Sequence, residues 1–211
     1  MNEILQKQLD YYLSGDLYAT LELIGAVLYL LYVWLVTKNH IASWPVNWVA
    51  CIVTFAVFGH QGLYNQMFLQ VFYFGLGIYG WVQWRSKAEG STILPITTIT
   101  ANTAMYSGIA WVGIALVLWG LNTAFQSFQP KLIINPWEIV SVAGSLVALY
   151  LTAKRIIQNW HLWFLVDAIS AVLFYQQGLY IYAIIYAIYL ILCFTGYAFW
   201  KKEMETAPVT H

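Results

Sequence analysis

Long apolar segments alternate with short polar connections along almost the whole chain. Each segment approaches the roughly 20 residues that a helix needs to cross a hydrocarbon layer about 30 Å thick. Backbone groups in lipid must be hydrogen-bonded within their own segment, so the segments are predicted to be helices. The seven predicted spans are, approximately, residues 20–37, 44–60, 62–84, 104–121, 136–153, 160–176 and 178–200.

The pattern repeats itself at a fixed shift of 116 positions. Sliding 22–84 onto 138–200 without a gap aligns two acids, several aromatic residues and the run Gln-Gly-Leu-Tyr that begins at Gln61 and again at Gln177. Such duplications are typical of membrane carriers, whose sites form between related parts. Each copy holds three spans, and the unpaired fourth span returns the second copy to the orientation of the first.

The sequence therefore predicts an all-α membrane protein with seven transmembrane helices in a parallel 3-1-3 repeat, a SWEET-like architecture. The predicted parts are an outer N-terminal segment (1–16), a first three-helix repeat (17–84), a loop, linking helix (about 104–121) and outer loop (85–135), a second three-helix repeat (136–200) and a cytoplasmic tail (201–211).

Composition excludes several classes of protein. With 61% hydrophobic and 9% charged residues, a soluble globule would lack polar surface to cover its core. A net charge of zero without a basic block argues against a nucleic-acid partner. The two cysteines lie in apolar spans without a CxxC pair, which argues against a disulfide or a thiol–metal site. No phosphate-binding loop or metal-ligand histidine spacing occurs, so we expect no enzyme, no catalytic residue, no metal and no cofactor.

Basic residues predict the orientation in the membrane. Seven of the nine lie on the side of the C-terminus, and only Lys7 and Lys131 lie on the other. Because positively charged loops stay in the cytoplasm, the C-terminus is predicted to be cytoplasmic and the N-terminus outside.

Polar residues inside the sixth span form a first candidate site. Trp160, Trp163 and Asp167 follow each other at i, i+3 and i+7, and Ser170 continues the same helix face. A carboxylate well inside a span is unfavourable unless it faces water or a partner, so Asp167 is a functional candidate; a structural hydrogen bond is the alternative. Trp160 could equally anchor the chain at the membrane interface.

The first copy offers a different set of side chains for the same cavity. Cys51 aligns with Asp167, so the acid has no twin, and Asn47 and Trp48 lie one turn before it. The third span of each copy adds a stripe at i, i+4 and i+7, with bonding between helices as the alternative role of its glutamines. These stripes are Gln66, Gln70 and Tyr73, and Tyr182, Tyr186 and Tyr189.

Aromatic faces and one unpaired carboxylate favour a flat aromatic ligand that carries positive charge, although aromatic faces also stack on sugars. The predicted substrate-binding residues are Trp163, Asp167, Gln70, Gln66, Trp160, Ser170, Asn47, Trp48 and Tyr186. A second pair of acids, Glu22 and Glu138, lies near helix starts. Asn135-Pro136-Trp137-Glu138 has the form of a capped helix start, which predicts capping rather than binding.

The chain resembles the PnuC family of vitamin-precursor carriers from about residue 20 to 202. The resemblance is carried by Gly62-Leu63-Tyr64 to Gln70, Tyr73 and Tyr79-Gly80-Trp81 with Trp84, and by Asn159-Trp160, Trp163, Asp167, Ser170, Gly178-Leu179-Tyr180 and Gly196-Tyr197 with Trp200. It implies a multi-pass protein of the bacterial inner membrane, a homotrimer, and vitamin uptake for NAD biosynthesis by facilitated diffusion.

The implied substrate is nicotinamide riboside, which cytoplasmic phosphorylation would trap. The alternatives within the family are thiamine, riboflavin or a deoxynucleoside. More remote alternatives are a proton-coupled carrier and a non-transporting membrane scaffold.

Overall fold

Helices account for the fold. The computed structural model describes residues 2–62, 64–85, 94–128 and 135–206. Within these ranges the only β-structure is an isolated bridge between Thr97 and Ile156, so the all-α prediction is confirmed. The helices are α1 (Asn2–Leu13), α2 (Leu17–Thr37), α3 (Ser43–His60), α4 (Tyr64–Arg85), α5 (Ala101–Phe128), α6 (Pro136–Ala153), α7 (Asn159–Gln176) and α8 (Tyr180–Thr206).

The predicted segments coincide with α2 to α8, with two extensions. Helix α5 continues into the predicted outer loop, where Asn122 and Thr123 return their side chains to helix carbonyls and no proline intervenes before Pro130. Helix α8 continues into the predicted tail as far as Thr206. Helix α1 occupies the outer N-terminal segment, for which no helix was predicted.

Four helices are long and apolar enough to cross a membrane by length and composition: α2, α5, α6 and α8. The segments α3, α4 and α7 carry buried polar side chains inside the helices, including Asn47, Gln70 and Asp167. These polar residues lower the hydropathy of the helices that we expect to line a site. The seven-span count therefore stays a prediction.

Two groups of helices pack side by side. Helices α2, α3 and α4 form the first trio, α6, α7 and α8 form the second trio, and α5 packs on α6. The trios meet through α2 against α8 and through α4 against α6. By the shift of 116 positions, α2 corresponds to α6 and α4 corresponds to α8, so the two junctions pair equivalent helices. Two copies around a common axis are expected to pack in this way.

Tryptophan packing recurs in the two trios at the shift of 116 positions. In the first trio Trp44 meets Trp84 edge to face, with ring centroids 5.2 Å apart and an interplanar angle of 87°. In the second trio Trp160 meets Trp200 at 5.5 Å and 85°. Trp84 and Trp200 approach each other across the junction at 6.3 Å. The four rings form one cluster near the ends of α4 and α8.

The start of α6 follows the sequence prediction in part. Asn135 caps the helix, because its side chain accepts a hydrogen bond from the Trp137 amide at 3.0 Å. The Glu138 carboxylate instead accepts from Gln66 Nε2 at 2.8 Å. Glu138 thus joins α6 to α4.

Candidate functional site

A buried carboxylate lies at the centre of the second trio. Asp167 is 5% exposed and lies about 12 Å along α7 from its start at Asn159. The Cys193 thiol on α8 donates to Asp167 Oδ2 at 3.6 Å, and no other described residue donates a hydrogen bond to this carboxylate. A thiol is a weak donor, so most of the hydrogen-bonding capacity of Asp167 is unused.

One turn after Asp167, Ser170 extends the polar face. Its hydroxyl shares a 2.8 Å hydrogen bond with Ser141 of α6 and interacts with the phenol of Tyr186 on α8. The Tyr186 ring stacks on Phe174 at 5.2 Å. The structure therefore brings three of the predicted residues, Asp167, Ser170 and Tyr186, into one neighbourhood.

Gln70 of α4 is the polar residue of the first trio that lies 116 positions before Tyr186. It is 5% exposed, and Tyr29 of α2 donates to its Oε1 at 2.5 Å. The Tyr29 hydroxyl also contacts Cys51 Sγ at 3.5 Å. One turn further along α4, Tyr73 shares a hydrogen bond with Ser145 of α6. A polar layer thus runs across the junction between the trios.

Three of the predicted residues lie on the helices that flank this layer. Asn47 is 1% exposed and donates from Nδ2 to the Tyr73 carbonyl at 3.3 Å. Trp48 packs edge to face against Trp81 at 5.8 Å, and its buried Nε1 has no hydrogen-bond partner among the described residues. Trp163 donates from Nε1 to the Thr152 hydroxyl at 3.0 Å, which fixes the orientation of its ring.

Two of the predicted residues have other partners. Trp160 is 2% exposed and belongs to the tryptophan cluster, where it packs on Trp200. Gln66 joins α4 to α6 through Glu138. Neither is brought together with Asp167 by a described contact, and their assignment to the substrate stays a prediction.

Sequence reasoning omitted Tyr29, Ser145, Ser141 and Cys193 from the candidate site. Tyr29 and Ser145 are related by the shift of 116 positions, so they form one more mismatch of the kind that singled out Asp167. That comparison could have found them. Nothing in the pattern of the sequence indicated which hydroxyl groups would meet.

At one end of the molecule, equivalent residues of the two trios meet each other. Arg155 donates from Nε to Asn39 Oδ1 at 3.3 Å, and these two residues are 116 positions apart. Arg155 also lies 3.6 Å from a Glu203 carboxylate oxygen, and Asn39 donates to the other oxygen at 2.7 Å. Burial lowers the pKa of Arg155, while the charge of Glu203 raises it. We call Arg155, Asn39 and Glu203 the inner contact set, because the basic residues predict that this end is cytoplasmic.

The same end carries two reciprocal hydrogen bonds between the trios. Trp84 of α4 donates from Nε1 to the Ala153 carbonyl at the end of α6, at 3.1 Å. Trp200 of α8 donates to the Val36 carbonyl near the end of α2, at 2.9 Å. Each trio thereby closes on the first helix of the other.

At the opposite end, acids hold the trios together. Tyr182 of α8 donates to Glu22 of α2, which also accepts from Tyr12 at 2.7 Å and from Gln61 at 3.0 Å. Desolvation and the Glu22 carboxylate raise the pKa of Tyr12. The Gln66–Glu138 bond is the equivalent of the Tyr182–Glu22 bond, since both members shift by 116 positions. We call Glu22, Tyr182, Gln66 and Glu138 the outer contact set, because this end is predicted to face outside.

Comparison with known proteins identifies the family. The model of a family described as "Nicotinamide mononucleotide transporter" matches residues 19–202. The chain belongs to this family. The match covers both trios and α5, so the resemblance to PnuC carriers is confirmed over the whole membrane part of the prediction.

Curated relatives of this transporter family include proteins with different named substrates. The nicotinamide riboside transporter PnuC of Escherichia coli is 25% identical over 219 residues, which cover 90% of each chain. The riboflavin/roseoflavin transporter RibM of Streptomyces davaonensis is 26% identical over 196 residues, covering 89% of this chain and 88% of the relative. These relatives are transporters and not enzymes.

A crystal structure of the vitamin B3 transporter PnuC has the same fold. It matches with a TM-score of 0.69 and 21% identity over 96% of this chain and 89% of the other. The chain is accordingly a multi-pass membrane protein of the transporter family. Among the described residues, no three His, Cys, Asp or Glu side chains group so that they could hold a metal ion.

Proposed function

We propose that this protein imports nicotinamide riboside across the bacterial inner membrane by facilitated diffusion. The observation that carries the proposal is Asp167, a buried carboxylate whose described hydrogen-bond donor is a single thiol. A pyridinium ring supplies the missing positive charge, and the aromatic rings of Tyr186 and Trp163 suit its flat faces. Gln70 and Asn47 supply amides for a ribose.

The proposed fold is seven transmembrane helices in a parallel 3-1-3 plan. Its support is the recurrence of contacts at the shift of 116 positions, above all the Trp44–Trp84 and Trp160–Trp200 pairs. Alternating access would then be a rocking of the two trios around the polar layer. The inner and outer contact sets lie at opposite ends of the trios, so that each can open while the other holds.

The proposed orientation follows the basic residues, with the N-terminus outside and the C-terminus cytoplasmic. A single cysteine introduced in either terminal segment of the protein, and labelled in whole cells, tests this orientation. The proposed homotrimer has the support of α5, whose apolar residues are unburied along the whole spanning window. The mass of the purified protein in detergent tests that proposal.

Thiamine is a second candidate, favoured by the same carboxylate. Thiamine also carries a cationic ring, and its aminopyrimidine offers an N–H group that can donate a hydrogen bond to Asp167. Riboflavin, the named substrate of one relative, is uncharged and gains less from Asp167. Proton coupling through Asp167 is a further alternative.

Purified protein in liposomes tests these proposals. We expect radiolabelled nicotinamide riboside to equilibrate across the membrane without accumulation. Asp167→Asn keeps the shape of the side chain and removes its charge, so affinity for the cation should fall about 30-fold or more, as for other buried charge pairs. Cys51→Ala, at the equivalent position of the first trio, is the matched control and should change affinity little.

Each alternative predicts a different result. Uptake of thiamine alone would overturn the choice of substrate but not the mechanism. Accumulation against a gradient that is lost in Asp167→Asn would contradict facilitated diffusion. Uptake of riboflavin alone, unaffected by the substitution, would contradict the role of Asp167. The absence of transport for every vitamin tested would favour a non-transporting scaffold.

A further inference from the structure

The third helix of each trio carries a tyrosine at the same place in the repeat. Tyr73 of α4 and Tyr189 of α8 are 116 positions apart and both are partly buried. The Tyr73 hydroxyl crosses the junction and shares a hydrogen bond with Ser145 of α6. By the symmetry of the fold, Tyr189 should cross to α2 at the residue equivalent to Ser145, which is Tyr29.

Tyr29 does not serve as that partner. Its hydroxyl donates to Gln70 at 2.5 Å and contacts Cys51 at 3.5 Å, both within the first trio. Over the residues that the structure describes, the Tyr189 hydroxyl has no hydrogen-bond partner. Tyr189 is partly buried and its hydroxyl oxygen is not fully enclosed, so a hydrogen-bond acceptor of a ligand can reach it.

Tyr189 is also close to the candidate substrate site. It lies four residues before Cys193, whose thiol donates to Asp167, and residues at i and i+4 share a helix face. Its ring packs edge to face on Tyr186 at 5.5 Å, and the Asp167 carboxylate lies nearby. The unmatched hydroxyl therefore belongs to the surroundings of the one buried carboxylate in the polar layer.

We propose that Tyr189 is a specificity-determining residue whose hydroxyl donates a hydrogen bond to the substrate beside the group that Asp167 binds. The two side chains then offer a donor and an acceptor together. A carboxamide on an aromatic ring matches this pair, because its N–H faces the carboxylate and its carbonyl faces the phenol. An aminopyrimidine edge offers the same pair of groups.

This inference rests on the proposed function, since it assigns the hydroxyl to the same substrate. It differs from that proposal in what the ligand must carry. Asp167 responds to the charge of the ring, whereas Tyr189 responds to a hydrogen-bond acceptor on the ring. N-ribosylpyridinium, which keeps the charge and lacks the carboxamide of nicotinamide riboside, separates the two contributions.

The test compares Tyr189→Phe with Tyr73→Phe, a matched control at the equivalent position. Binding of nicotinamide riboside and of N-ribosylpyridinium is measured by calorimetry on the purified protein, together with the melting temperature. We expect Tyr189→Phe to bind nicotinamide riboside about 3- to 10-fold more weakly and N-ribosylpyridinium as the wild type does. Its melting temperature should be unchanged, whereas Tyr73→Phe should melt at a lower temperature because it loses the bond to Ser145.

The outcomes separate the two proposals. If Tyr189→Phe binds nicotinamide riboside like the wild type, or weakens both ligands equally, the role of Tyr189 is wrong while the proposed function stands. If the wild type binds thiamine instead, the same loss is expected for thiamine, and unchanged affinity would overturn the inference. If the wild type binds neither vitamin, both proposals fail.

Discussion

The tryptophan cluster depends on the absence of a side chain at Gly196 of α8. A Cβ atom built there would lie 2.5 Å from Cη2 and Cζ2 of Trp160. Carbon atoms in contact are normally about 3.5–4.0 Å apart. The substitution Gly196→Ala would therefore require the ring of Trp160 to move by about 1 Å.

The size of the effect follows from how firmly the ring is held. Trp160 is 2% exposed and packs edge to face on Trp200, so it has no free direction of movement. Overpacking of this kind costs about 1–3 kcal/mol, and the higher helix propensity of alanine returns up to about 1 kcal/mol. We expect a net loss of about 1–2 kcal/mol. For a chain of this length that lowers the melting temperature by about 2–8 °C.

Thermal unfolding in detergent, followed by tryptophan fluorescence, measures this loss. Gly75→Ala on α4 is the control, because a Cβ there meets no atom within 4 Å. Gly80→Ala should repeat the effect in the first trio, since its Cβ would lie 2.3 Å from Trp44. A melting temperature for Gly196→Ala at or above that of Gly75→Ala would refute the close packing of the cluster.

Three further substitutions concern the ends of the molecule. Glu203→Gln removes the ion pair with Arg155. Because the Glu203 side chain is 41% exposed, we expect the stability measured by thermal unfolding to fall by less than about 1 kcal/mol. We also expect substrate to exchange faster across the membrane of liposomes. Arg155→Ala should reduce stability clearly more, because this side chain is only 3% exposed and also donates a hydrogen bond to the Leu94 carbonyl. Equal losses of stability for the two variants would contradict this reasoning. Tyr182→Phe should reduce stability by about 0.5–1.5 kcal/mol in the same assay, since Glu22 keeps two other hydrogen-bond donors. A loss above about 3 kcal/mol would show that those donors do not compensate.

Most of the fold could be predicted because the helices are defined by long apolar runs. The segments for α2 to α8 needed only hydropathy and length, and the start of α6 needed only the capping chemistry of Asn135. Helix α1 could not be predicted in this way. It has a mixed polar and apolar sequence and is joined to the rest by tertiary contacts, namely Gln8 to the Gly178 carbonyl and Tyr12 to Glu22.

The candidate site could be predicted only at positions where a polar group interrupts an apolar span. Asp167 and Gln70 met that condition, and both are buried in the polar layer. Gln66 met it too, but its amide bonds Glu138, a pairing of residues 72 positions apart that periodicity does not encode. Tyrosine and serine are common in helices of this kind, so Tyr29 and Ser145 did not stand out until their contacts were known.

The two contact sets differ in a way that bears on how the trios could rock. In the inner set, Asn39 meets its own equivalent Arg155, so this contact lies at the proposed axis between the trios. In the outer set, Glu22 meets Tyr182, so the bond is one of two equivalent bonds on either side of that axis. A rotation of the trios around the axis itself separates groups at the axis least. A tilt of one trio against the other separates them most. We therefore expect inner opening to require the simultaneous loss of the Arg155 interactions, whereas the outer bonds can break one at a time.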